Sequence, residues 1–427
     1  MINLFKEFQI KKEIILLCFI ILNLNLSSQS KRIISGSVYS ATTNEALSFV
    51  SISLKKQLVG NLTNEEGKFN LQLPEEFINY TLVINYLGYK LQLIPLKFIT
   101  APLVIKLNEN MLDIKEIIVR PQESDYYIRM AMRSIPINYP NKPFQIEAYY
   151  LEKILENENV IMCNEGIFKT YYPNYIDTIK PQNQLLLFRQ TENLHELSSF
   201  IGSELKKEAE RKKRKGKDTT SKDASINDLT NIFSGPETIL LATNITRKSN
   251  NFLDTNKLKS YHYTFAKSSS YNSSELIIIN FESKGKIEHV RESGKIYIDL
   301  TTLVIVKIEI RGVYVIPALI RPILFLYGVG IENPDYESKT EYRQIKGKWY
   351  PSISQNMINL NLTKKHWFKP NEHSDFKIEQ VFGVNKTLTE SVNPISIKKR
   401  FNPKQKNIRS QVFNDENLKW EEVNIIK

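Results

Sequence analysis

Five histidines, His195, His262, His289, His366 and His373, are the side chains here best suited to proton transfer or metal ligation. His289 and Glu292 stand three apart in His-Val-Arg-Glu, a spacing that two ligands of one metal can share. The run around them alternates polar and apolar residues as a strand does, and residues three apart on a strand point to opposite faces. That geometry is poor for closing two ligands on one tetrahedral ion. A third ligand would have to come from His366 or His373, which no motif supports. His195-Glu196 lacks the second histidine of HExxH, and the chain has neither a GxSxG elbow nor a phosphate loop. No catalytic, cofactor-binding or metal-ligating residue is assigned, no cofactor is expected, and no enzymatic activity is expected.

Two further groups read as structural. Cys163 lies in VIMCNEGIF, an apolar strand-like run that suits a buried, inert thiol. Asn64-Glu65-Glu66-Gly67 sits between two strand-like runs. It reads as a hairpin turn with exposed acids, because calcium takes about six or more oxygen ligands and glycine accepts positive φ without steric cost. Glu421 and Glu422 read as solvated surface.

The elements that hold these residues are mostly strands. Val50, Ile52 and Leu54 alternate with polar residues, as do Phe69, Leu71 and Leu73; Leu103, Ile105 and Leu107 repeat the two-residue spacing. Such alternation turns one face of a strand to a core. Turn signals at Thr42–Asn44, Asn64–Gly67 and Gly88 separate short strands, as in an antiparallel sandwich.

The N-terminus has the layout of a secretory signal peptide. Lys6, Lys11 and Lys12 precede the apolar run Ile14–Leu26, and Ser27, Ser28, Gln29 and Ser30 follow. We expect residues 1–28 to be removed, which leaves Cys163 as the single cysteine of the mature chain. The formal charge is +12, concentrated at Lys206–Lys217, with eight Lys/Arg against two Glu, and again at Lys398–Arg409. Neither cluster is interleaved with the aromatics a single-strand binder uses, so nucleic acid is not an expected partner. A solvated charged insertion at about residues 203–230 is the first reading. Anionic lipid headgroups or acidic glycans are the second.

The residues Gly36–Val38, Ala46–Ile52, Thr63–Phe69 and Asn85–Tyr89, with the closing run Leu107–Val119, resemble the carboxypeptidase-like regulatory domain. The resemblance covers about residues 32–120. It implies a seven-stranded transthyretin-like β-sandwich, common at the front of exported proteins of Gram-negative bacteria, that is an accessory module and not a peptidase. Asn64 stands where that family often has aspartate. The front domain makes the zinc-carboxypeptidase HxxE spacing at His289 and Glu292 tempting, but the strand geometry argues against a metallopeptidase.

Beyond Pro121, Asp125 can cap a helix whose stripe is Ile128, Ala131, Met132 and Ile135. Asn138–Pro143 ends it, and a strand through Phe144–Tyr150 turns at Glu156–Asn159 into a second. The order of helix, break and tyrosine-rich strand is similar to the segment that follows this sandwich in larger outer-membrane proteins. Strands are expected at Ser260–Lys267, Glu275–Ser283, Lys286–Arg291, Lys295–Asp299 and Leu303–Arg311. Gly294–Ile310 is similar to the curved sheets of lipoprotein carriers. Val315–Leu326 is apolar, too short to span a membrane and broken by Pro317 and Pro322. It reads as a cover for that sheet.

The sequence therefore predicts a mainly β protein: a signal peptide, the sandwich, and at 121–427 a β-rich (α+β) envelope domain with a curved antiparallel sheet and few helices. The expected role is a binding or assembly module at the periplasmic side of the outer membrane. Its expected partners are outer-membrane or periplasmic proteins. The alternative is a carrier of lipid or another apolar ligand, which needs a sizeable pocket.

Overall fold

The computed structural model describes residues 31–110, 123–175, 181–192, 251–316 and 328–424, apart from a few positions within them, together with isolated positions between 203 and 244. The signal segment, His195, nearly all of the basic insertion and most of Val315–Leu326 lie outside the described residues.

Seven strands make up the N-terminal region: β1 (Lys31–Ser40), β2 (Ser51–Leu54), β3 (Gly60–Leu62), β4 (Lys68–Pro74), β5 (Thr81–Asn85), β6 (Gln92–Pro95) and β7 (Leu103–Leu107). They form two sheets, ordered β4-β1-β7 and β3-β2-β5-β6. Only β1 and β7 pair in parallel. The alternation read from the sequence is the burial observed: Val50, Ile52, Leu54, Phe69, Leu71, Leu73, Ile105 and Leu107 are all buried in one core. Asn64 closes the β3–β4 turn, its Oδ1 accepting from the amides of Glu66 and Lys68, and Gly67 takes φ +74° there.

Helix α1 (Ser124–Asn138) follows. It starts one residue ahead of the expected cap. Asp125 lies in the first turn, where its carboxylate favours the helix dipole and pairs with Arg129 at 3.2 Å. Ile128, Ala131 and Ile135 are buried as predicted, and each isoleucine contributes about 1.5–3 kcal/mol on leaving water.

The strands after α1 are β8 (Phe144–Glu156), β9 (Asn159–Tyr172), β10 (Gln182–Glu192), β11 (Tyr261–Phe265), β12 (Ser269–Tyr271), β13 (Ser274–Ser283), β14 (Val290–Asp299), β15 (Ile305–Tyr314), β16 (Val329–Ile345), β17 (Lys348–Lys364) and β18 (Glu372–Leu388). All belong to one antiparallel sheet of 11 strands, ordered β10-β9-β8-β18-β17-β16-β15-β14-β13-β11, with β12 also on β13. The β8–β9 turn has Asn157 and Glu158 at positive φ, the two-residue connection that matches strand twist.

One expectation needs correction. The two strands expected around Gly294 are a single strand, β14, which runs through Gly294 without a turn. A Cβ at Gly294 would meet the Glu309 carbonyl oxygen at 1.9 Å and the Phe281 ring at 2.8 Å. On the next strand a Cβ at Gly312 would meet the Tyr336 ring at 2.1 Å. Each glycine faces an aromatic across the ladder, Gly294 opposite Phe281 and Gly312 opposite Tyr336. The rings fill the space that the missing side chains leave.

The two faces of the long sheet differ. The inner face packs on α1, where Ile279, Ile296 and Ile308 meet Ile128, Ala131, Ile135 and Phe252. The outer face carries Tyr149, Ile353 and Val381, which pack against Leu62 of the sandwich and against Leu418, Trp420 and Val423. Lys153 binds Glu65 at 3.1 Å, and the Thr387 amide donates to the Leu58 carbonyl, so the sandwich is docked on this face.

The segment after β18 straps the parts together. The Phe401 and Phe413 amides donate to the Asn183 and Leu185 carbonyls on the β10 edge. Asn424 accepts from the Gln72 amide on β4. The strap thereby covers part of a sheet edge that would otherwise template pairing with another chain.

Candidate functional site

Pairing register sets the chemistry along the inner face. Ser338, Asn356, Gln380, Glu152 and Asn164 fall in one row across β16, β17, β18, β8 and β9. Ser338 donates to Asn356 at 2.8 Å, Gln380 to Glu152 at 2.8 Å and Asn164 to Glu152 at 3.0 Å. Glu152 also accepts from the Gly235 amide, and Gln380 donates to the Gly235 carbonyl. A buried row of this kind specifies register, since a slip leaves its members without partners.

One row further, Glu292 lies on the inner face with Ser283, Gly312 and Tyr336. Tyr261 and Tyr336 donate their hydroxyls to its carboxylate. Burial, and then Glu292 itself, push both phenols above their ordinary range, so both stay protonated donors. His289 lies in the turn before β14 at φ +67°, exposed, and does not converge with Glu292. His366 pairs with Glu372 at 2.9 Å, His373 with Thr363 at 3.0 Å, and His262 is exposed on β11. Among the described residues, no three His, Cys, Asp or Glu side chains gather as a metal site would require.

A cleft of about 300 Å³ opens over β14, β15 and β16. Arg291, Val313 and Asp335 form one of its walls, and Glu282, Ser293, Arg311 and Glu337 the other. These residues alternate with Glu292, Gly312 and Tyr336, so their side chains point to the outer face and the backbone of those three is the floor. Arg311 pairs with Glu337 at 3.0 Å, and Asn359 holds Asp335 at 2.7 Å. The cleft is open, and side chains of both charges line it together with apolar surface.

Two rows along the outer face, Lys307 lies between Glu309 at 3.1 Å and Glu341 at 3.0 Å. Its ammonium stands 5.6 Å from the Tyr297 ring centre. Burial lowers its pKa, but Glu341 and Glu309 outweigh that, and the net direction is upward. Burial alone would raise Glu309, yet Lys307 holds it below the ordinary carboxylate range. Tyr86 of the sandwich feels these three charges, and its own pKa is raised, first by burial. The triad therefore sits at the seam between the sandwich and the long sheet. The alternation in VKIEI places Lys307 and Glu309 on one face, a signal sequence reasoning passed over.

Cys163 is half-buried, not fully buried. Burial and then Glu165 raise its pKa, the reverse of what activates a thiol. Glu66 pairs with Lys68, and Glu421 and Glu422 are exposed.

Residues 34–119 match the family described as CarboxypepD_reg-like domain. No curated protein matches the chain. Among solved structures, a DUF1329 family protein from Desulfovibrio piger is 11% identical over 63% of this chain and 94% of its own, with a TM-score of 0.21. Lipovitellin, in a structure concerned with its lipid–protein interactions, is 6% identical over 61% of this chain and 27% of its own, at 0.26. A Bacteroides fragilis protein, described as membrane-associated and of unknown function, is 11% identical over 84% of this chain and 99% of its own, at 0.15. At these scores none of the three structures bears on function.

Proposed function

We propose, from the CarboxypepD_reg-like domain at residues 34–119 as premise, that this is an exported, non-catalytic envelope protein. In this reading residues 1–28 direct export, and the rest serves as a binding or assembly module at the periplasmic side of the outer membrane. The observation that carries the reading is the apolar core that the described residues form on the inner face. Beneath β13, β14 and β15 the space is occupied by Ile279, Ile296 and Ile308 packed on α1. A carrier needs that volume for its cargo. The outer cleft offers a protein partner both charges and apolar surface, including Val313, which is 45% exposed.

The test is photocrosslinking in cells from a reactive residue placed at Val313. A discrete adduct with one envelope protein is the expected outcome. Adducts absent there, together with a small apolar molecule retained in native mass spectrometry, would replace the binding module by the carrier.

A further inference from the structure

The strap after β18 carries a surface for which the fold supplies no structural need. Ile397, in the short turn Ile397–Lys399, is 81% exposed. A single exposed apolar residue is ordinary by itself; what distinguishes Ile397 is the run of cations beside it. Lys398 follows it and is exposed, as are Arg400 and Arg409. Among the described residues, Lys399 pairs with Asp415 at 2.6 Å and Arg400 donates to the Ile395 carbonyl at 2.8 Å. No ion pair among them involves Lys398 or Arg409. The loop is fixed at both ends, by the Ile395 amide on Gln182 and by Phe413 on Leu185. The cations and the isoleucine are thus presented on a backbone anchored to the β10 edge.

An apolar side chain flanked by uncompensated cations fits one kind of surface. The cations attract a layer of phosphates, and the isoleucine enters the headgroup boundary beneath them. A protein partner would be expected to bring apolar area to match, and the loop offers a single apolar residue. We propose that Ile397, Lys398, Arg400 and Arg409 form a docking site for an anionic lipid surface. This goes beyond the proposed role as a binding module and does not depend on which protein is bound. Vesicle binding can fail while the Val313 crosslink stands, and the reverse.

The experiment is cosedimentation of the full mature protein with phosphatidylcholine vesicles, with and without phosphatidylglycerol, at low and high salt. Binding is expected only with the anionic vesicles, and salt should weaken it by screening. Lys398→Glu and Arg409→Glu should each weaken partitioning at least about fivefold, the worth of one basic residue near such a surface. Ile397→Ser should do so with the charge of the loop unchanged. Matched circular dichroism and thermal midpoints would show that the variants are folded. Inorganic phosphate at equal ionic strength should not compete; if it does, the loop binds free anions and the lipid assignment fails. Variants that bind like the parent chain would also sink it, because the binding would then lie elsewhere, for instance at Lys206–Lys217.

Discussion

At the residue scale, the Lys307 triad is the clearest case of chemistry serving architecture. Its lysine is 14% exposed and both of its carboxylates 26%. Removing the lysine leaves two partly buried carboxylates together, so Lys307→Ala should cost about 3 kcal/mol, read from urea denaturation. Lys307→Met with Glu309→Gln and Glu341→Gln should cost much less, since no charge is left without its partner. The pH dependence follows from Glu309, whose folded pKa is depressed. Its contribution is complete above the ordinary carboxylate value of about 4.3 and is lost as pH falls through the depressed value. Denaturation midpoints of the parent chain should fall in that acid window. In Lys307→Met the part of that fall due to Glu309 should disappear.

At the element scale, the two glycines in β14 and β15 differ in what an added side chain would meet. At Gly312 the obstacle is a side chain, the Tyr336 ring; at Gly294 it includes backbone, the Glu309 carbonyl. Gly312→Ala should destabilise by about 1–3 kcal/mol, and Tyr336→Ala should recover part of that loss. Gly294→Ala should be at least as damaging, and Phe281→Ala should recover little, because the carbonyl cannot swing aside. Thermal unfolding of the single and double variants checks both statements. β13 and β15 were legible as strands in the sequence, whereas β10, β16, β17 and β18 were not among the strands expected. The continuity of β14 through Gly294 was not legible, because a glycine amid alternating residues reads locally as a turn, and only the opposing Phe281 shows that the strand goes on. The α1 stripe was legible, since Ile128, Ala131 and Ile135 repeat at helical spacing.

At the scale of the whole molecule, the strap and the seam make one body of two sheet systems. Ending the chain after Asn393 would uncover the β10 edge at Asn183 and Leu185, and would remove Trp420, which stacks on Arg189 at 4.4 Å. The truncated protein should exchange amide hydrogens faster in β10 and in β3 and β4, and should self-associate in size-exclusion chromatography. Unchanged exchange in β3 and β4 would mean that the triad and the Leu62 contacts hold the sandwich without the strap.

Legible in the chain alone are the β class, the Asn64–Gly67 turn and the inner stripe of α1, which rest on local periodicity and turn chemistry acting over a few residues; the seven-stranded front sandwich is what the family resemblance implied. Tertiary structure alone decided the order of the 11 strands, the row from Ser338 to Asn164, the placing of Glu292 between Tyr261 and Tyr336, and the seam at Lys307. Those depend on which strands pair and in what register, and residues as far apart as Glu152 and Gln380 meet only through that pairing. The outer cleft belongs to the same class, because its walls come from β13, β14, β15 and β16.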